Sequence, residues 1–160
     1  TEAQALIRQA IFSIRSDEIT SDTFVGGLHR RLRLLCPDST TALRIDLPGN
    51  FDGWPAPVRS GLFQIAQEAL ANAAKHARAR HIVVKLIDGQ NEVEMRISDD
   101  GDGFDPAAVD QTGHLGLSGM AERASLLNGT FEVISTFGEG TLLVARIPCH
   151  ATETVLAGSG

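Results

Sequence analysis

The chain has 160 residues, 42% of them apolar and 21% charged, which describes one water-soluble domain with its own core and leaves too little length for two. No apolar run reaches the roughly 20 residues needed to span a bilayer, and no signal-peptide pattern opens the chain, so a cytoplasmic location is expected and any membrane or sensory part is expected outside it. A net charge of −6 gives no footprint for nucleic acid and no reason for membrane contact; Cys36 and Cys149 have neither zinc-site nor disulfide-framework spacing.

In chain order, Leu6, Ile7, Ala10, Ile11 and Ile14 recur at helical spacing and predict a helix over residues 2–16. After the polar break Ser16-Asp17-Glu18, a second helix carries Leu28, Leu32 and Leu35 on one stripe, with Arg30, Arg31 and Arg33 read as a solvated face. It stops at Cys36-Pro37, because a residue before proline is pushed out of the helical region. Residues 42–47 alternate as a strand, and Pro48-Gly49-Asn50 with Pro55 marks a loop. Val58, Leu62, Ile65, Ala66, Ala69, Leu70 and Ala73 form the apolar face of a helix over residues 58 to about 79. Two strands follow, carrying Ile82, Val84 and Leu86, then Val93, Met95 and Ile97, joined by the hairpin chemistry of Asp88-Gly89-Gln90-Asn91. A glycine-rich stretch, 101–119, opens a helix to about residue 127, which Asn128-Gly129 stops. Phe131, Val133 and Ile134 predict a strand. Gly138-Glu139-Gly140 turns the chain into the last strand, residues 141–147, ended by Pro148; a loose tail is expected after it. Strand pairs joined by short turns predict an α/β (α+β) sandwich, with a mixed, largely antiparallel sheet covered on one face by helices, and exclude a doubly wound parallel fold.

Four segments carry chemistry. Ser98-Asp99-Asp100-Gly101-Asp102-Gly103-Phe104 stands where a strand runs out. A carboxylate fixed there can accept from an exocyclic amine, and the glycines let backbone pass close to a flat ring or a phosphate. An ordinary turn has the same pattern; a calcium loop does not, because its downstream bidentate Glu is missing. Glu68, Asn72 and His76 repeat every four residues with Lys75 alongside. Their carboxylate, carbonyl and cation suit Mg²⁺ and phosphate oxygens, although the stripe also reads as a solvated face opposite the Ile65, Ala69 and Leu70 core. Gly113-His114-Leu115-Gly116-Leu117-Ser118-Gly119-Met120 feeds a helix N-terminus, either an anion site or a glycine-favoured cap. Gly138-Glu139-Gly140-Thr141 is a hairpin turn whose hydroxyl could also reach the base.

Together, and in this order, the four segments resemble the GHKL ATPase superfamily, and specifically the catalytic domain of sensor histidine kinases of the nitrate-sensor and desaturase-sensor type. The resemblance is strong over residues of about 60–148, where Gly116-Leu117-Ser118-Gly119-Met120-Ala121-Glu122-Arg123-Ala124 is similar to that group's GL-x-GM-x-ER segment. It is looser over residues 1–47, where Ala10-Ile11-Phe12-Ser13-Ile14-Arg15 resembles the end of the dimerisation hairpin and Gly27-Leu28 the helix that follows. It implies a hairpin remnant over 1–16, a linker helix over 17–40, the ATP-binding domain over 41–148 and a flexible tail over 149–160. It further implies a mixed sheet backed by three helices, the Bergerat arrangement, with the nucleotide between a helix and a lid.

The resemblance makes Asn72 the Mg²⁺ ligand, with Glu68 organising metal and water and both serving catalysis. It places Lys75 and His76 at phosphate contacts and Asp99 on the adenine amino group. Gly101 and Gly103 then line the base, Gly113, Gly116 and Leu117 lie near the phosphates, and Thr141 is close to adenine. Residues 104–115 make a short lid without the phenylalanine-rich box. None of the five histidines has a phosphoacceptor context; His29 is followed by Arg30 and Arg31. The acceptor helix is therefore expected outside this chain, which should bind Mg-ATP with little autophosphorylation. The implied partners are that hairpin, in a homodimer, and a response regulator. The alternatives are an anti-sigma-type serine kinase of the same superfamily, a partner-binding module without nucleotide, and a gyrase- or chaperone-type clamp; the last needs a transducer region that this chain lacks.

Overall fold

The computed structural model describes residues 19–38, 40–109 and 116–149. The helix expected over residues 2–16, Gly113 and His114 of the glycine loop, and the tail from His150 lie outside the described residues.

Helix α1 (Ser21–Leu35) starts from a reciprocal cap: the Thr23 N–H donates to the Thr20 hydroxyl, and the Thr20 N–H to the Thr23 hydroxyl. Phe24, Leu28 and Leu32, four residues apart, form its buried stripe, while Leu35 is only half-buried. The Phe24 ring meets Phe51 edge-on at 5.1 Å and Phe63 at 5.6 Å between centroids. Fully burying one such side chain contributes about 1.5–3 kcal/mol, so α1 is held on the next helix, α2 (Ala56–Lys75), within the same core as the sheet.

Helix α2 begins after Pro55 and buries Leu62, Ile65, Ala66, Ala69, Leu70 and Ala73. It ends at Lys75, four residues before the expected limit. The Ala77 N–H bonds the Asn72 carbonyl at 3.1 Å, the Ala79 N–H reaches back to Ala73 at 3.2 Å, and Arg78 takes a left-handed φ of 52°. The helical ladder is spent in a turn that delivers the chain to β2.

Five strands, β1 (Ala42–Asp46), β2 (His81–Asp88), β3 (Glu92–Asp99), β4 (Thr130–Thr136) and β5 (Gly140–Pro148), form one sheet in the order β1-β2-β3-β5-β4. Only β1 and β2 are parallel, with α2 between them in sequence; the remaining pairs are antiparallel. Ile82, Val84, Leu86, Val93, Met95, Ile97, Leu143, Ala145 and Ile147 alternate inward and are buried. Helix α2 lies over β2, β3 and β5, and α4 (Leu117–Leu126) over β4 and β5; a short turn of helix, α3 (Pro106–Val109), approaches β4. On the other face, Glu94 bonds Arg96 and Arg146, and Arg146 also reaches Glu132 at 3.0 Å. Burial raises the Glu94 carboxyl, but the two guanidiniums prevail and hold it below its ordinary pKa. Among the described residues no helix is long and apolar enough to cross a membrane.

Candidate functional site

The inward positions of β3 run Val93, Met95, Ile97 and then Asp99, so the strand's own period carries a carboxylate to the edge of the apolar face. Asp99 is paired in register with Thr141 of β5, and Thr141 with Ser135 of β4. The inner face of the sheet therefore ends in a polar row across three strands. Asp99 is half-buried and Thr141 buried. Burial raises the Asp99 pKa, backbone hydrogen bonds from Gly101 and Thr141 oppose this, and the neighbouring Asp100 charge adds to the rise. Asp99 Oδ1 accepts the Gly101 N–H at 2.8 Å. A hollow of about 250 Å³ at this end of the sheet is lined by Asp99, Ser135, Gly140 and Thr141 together with Ser98, Ile134 and Leu142, which alternate to the opposite face.

Backbone contacts join this row to the end of α2. The Asp102 N–H donates to the Ala77 carbonyl at 2.8 Å, and the Ala77 N–H to Asn72. A Cβ on Gly101 would stand 2.4 Å from the Ala77 oxygen. On the opposite side, the Gly138 N–H bonds the Asp102 carbonyl at 2.7 Å. Gly103, at φ 69°, leaves no room for a side chain beside the Thr136 carbonyl, and Gly140, at φ 83°, none beside that of Asp99. Asp99, Gly101, Gly103, Thr141 and the backbone of Asn72 thus belong to one stitched region. Close approach of backbone to backbone is what the glycines permit.

Asp100 points away from the row. Its Oδ1 accepts the N–H groups of Arg80 and His81, both at 2.8 Å, and its Oδ2 lies 2.7 Å from His81 Nδ1. These bonds, the His81 backbone foremost, pull its pKa from 3.8 to about 2. Since the folded value is the lower one, the stability it contributes is complete above 3.8 and is lost as pH falls towards about 2. Asp100→Asn keeps an acceptor for the backbone but does not titrate in this range. Its acid-unfolding curve, followed by circular dichroism, should be flatter than the native one between those limits; two superimposable curves would contradict this.

The second and third segments also meet. Gly116, left-handed at φ 64°, precedes α4, and a Cβ there would lie 2.5 Å from Glu68 Oε1. No side chain caps this helix. Leu117 turns its side chain into the core, so only its backbone can serve the site. Glu68 and Lys75 are exposed on α2, His76 is exposed at its C-cap, and Asn72 is half-buried. Beside the first turn of α4 lies a second hollow, of about 380 Å³, between Ala107, Leu117, Ala121, Phe131 and Val133. Gly113 falls outside the described residues.

Residues 58–151, more than half of the chain, match the family described as histidine kinase-, DNA gyrase B- and HSP90-like ATPases. The chain belongs to this family. It is an ATP-binding domain of the kind found in sensor histidine kinases, as the four segments implied. A signal transduction histidine-protein kinase/phosphatase, DegS, of Brevibacillus brevis is 29% identical over 93% of this chain and 38% of its own length. The sensor histidine kinase MctS of Rhizobium johnstonii is 35% identical over 81% of this chain and 29% of its own. This ATPase domain therefore spans well under half the length of these relatives. Among solved structures, the blue-light activated histidine kinase of Erythrobacter litoralis superposes with a TM-score of 0.68 at 17% identity, over 81% of this chain and 42% of that one. That likeness establishes the shared sheet-and-helix architecture.

Two participants carry no signal in their own segments, Ser135 and the Ala77 carbonyl. The hairpin held a usable signal for the first. Once residues 137–139 are taken as the turn, Thr136 faces Gly140 and Ser135 must face Thr141.

Proposed function

We propose that this domain serves a two-component sensor kinase, binding Mg-ATP for phosphoryl transfer to a histidine on a dimerisation hairpin and onward to a response regulator. In this reading residues 1–16 are the end of that hairpin, 17–40 the linker helix, 41–148 the catalytic domain and 149–160 a tail, all on the cytoplasmic side. The observation that carries it is the half-buried Asp99 carboxylate, joined through Gly101, Asp102 and Ala77 to the helix bearing Asn72. The curated relatives, named as histidine kinases, favour this over an anti-sigma-type serine kinase.

Asp99 accepts from the adenine amino group, with Thr141 beside it and Gly101 and Gly103 along the base. Asn72, assisted by Glu68, holds Mg²⁺. Water and phosphate oxygens would complete the coordination, as is usual for this ion. Lys75 and His76 meet phosphate oxygens, as do the backbone of Gly116 and Leu117 at the start of α4 and the loop glycine Gly113. The Glu68 carboxylate stands beside that helix start and would help Asn72 hold the cation, offsetting its own repulsion of the phosphates. ATP supplies the γ-phosphoryl group; the side chains named here position it and neutralise charge.

Calorimetry with a non-hydrolysable ATP analogue tests this. Binding should require Mg²⁺, and Asn72→Ala should weaken it about tenfold or more, since even outer-shell changes at metal sites cost that much. Native protein giving neither heat nor a thermal shift with Mg²⁺ present would leave only a partner-binding module.

A further inference from the structure

We propose that Ser135 is a positioning residue that fixes the proton of Thr141, so that the base pocket selects an amino group over a carbonyl. This rests on the nucleotide reading of the site.

Ser135 Oγ has three partners: the Phe104 N–H at 2.9 Å, the Gly140 carbonyl at 3.1 Å and Thr141 Oγ1 at 2.8 Å. A hydroxyl offers one proton and two lone pairs. The Gly140 carbonyl can only accept, so it takes the Ser135 proton. The Phe104 N–H can only donate, so it uses one lone pair. One lone pair remains, and the Thr141 hydroxyl must donate to it. The Thr141 proton then points along the row towards β4, and its oxygen offers only lone pairs to anything beside it.

The next side chain in the row is the Asp99 carboxylate, also an acceptor. A base edge in this position meets two acceptors and no donor. The exocyclic amine of adenine supplies the N–H groups that such a pair requires. A carbonyl at the same ring position, as in hypoxanthine, sets oxygen against oxygen, and Thr141 cannot turn its proton to meet it without leaving Ser135 unsatisfied. Discrimination is strong where buried polar groups would be left unmatched. The Phe104 bond gives the same hydroxyl a second task, because it holds the chain where it leaves Gly103 for α3.

The test compares Mg-ATP with Mg-ITP, which differ at C6, an amine against a carbonyl, and at the adjoining N1, a lone pair against an N–H, by calorimetry on the full chain. Native protein should prefer ATP. In Ser135→Ala the Thr141 proton is released, and the ATP-over-ITP preference should fall about tenfold, while Ser135→Thr, which keeps the hydroxyl on a strand-favouring side chain, should retain it. Thr141→Val reads the same preference from the other end of the bond and should lose it to a similar degree, so the inference stays testable even if Ser135→Ala folds poorly. Equal weakening of ATP and ITP in Ser135→Ala would reduce Ser135 to mechanical support and overturn the proposal, as would an unchanged preference in Thr141→Val. Native protein that bound neither triphosphate would instead remove the nucleotide reading, and this inference with it.

Discussion

Asp99→Asn should weaken Mg-ATP binding by about 1–3 kcal/mol, roughly 5- to 150-fold, with little change in folding. The direction follows from the geometry of the carboxylate. Its Oδ1 is already engaged by the Gly101 N–H at 2.8 Å. An asparagine must turn its single oxygen to that N–H and so presents its NH₂ to the base, donor against donor. The folding side of the comparison has the opposite sign. Burial raises the Asp99 pKa above 3.8, so the ionised form is disfavoured in the folded protein, and stability falls as pH rises through the folded pKa. At neutral pH the amide removes that cost, and the variant should melt at or slightly above the native temperature. Binding also acquires a pH signature. Native affinity should decline as pH falls into the raised Asp99 range, whereas the asparagine variant, already weak, should show no such inflection. Calorimetry across a pH series, beside thermal melts, separates the two effects. Equal affinity in both proteins would place the base elsewhere.

Local patterns made much of this molecule readable in advance. The α2 stripe from Val58 to Ala73 has a helical period that no strand could satisfy. The hairpin between β2 and β3 was visible because Asp88-Gly89-Gln90-Asn91 separates two alternating runs of nearly equal length. The end of α2 was not visible, since residues 74–79 are good helix formers. They leave the helix because the Ala77 carbonyl is taken by Asp102, a residue 25 positions further on. The insertion of β5 between β3 and β4 was equally hidden, because the crossing through α3 and α4 has no local signature of where the last strand will pair. The site divides along the same line. Asp99, Asn72 and the glycines announce themselves by spacing, since each stands in a short run that determines its own backbone. Ser135 acts only through residues on two other segments, Phe104 and Gly140-Thr141, and nothing in Ile134-Ser135-Thr136 distinguishes it until the strands are paired.

The glycines allow conformational strain and steric exclusion to be measured apart. Gly103 and Gly138 are both left-handed, at φ 69° and 83°, and both lie where the loop after β3 meets the turn between β4 and β5. A Cβ on Gly138 would meet nothing within 4 Å, so Gly138→Ala should cost only the left-handed penalty, about 1–2 kcal/mol, or roughly 2–8 °C in melting temperature. A Cβ on Gly103 would stand 2.1 Å from the Thr136 carbonyl oxygen and 3.1 Å from that of Gly140. Those two residues face each other across the β4–β5 pair, so neither oxygen can move aside without opening the ladder. Moving the loop instead breaks the bond from the Phe104 N–H to Ser135. Gly103→Ala should therefore add an overpacking cost of about 1–3 kcal/mol to the same strain, and its nucleotide affinity should collapse because the relief comes from the base pocket itself. Melting curves and calorimetry on the two alanine variants decide the matter: if Gly103→Ala melts with Gly138→Ala and still binds Mg-ATP, the loop after Asp99 is not clamped against the β4–β5 turn and the pocket must draw its rigidity from elsewhere.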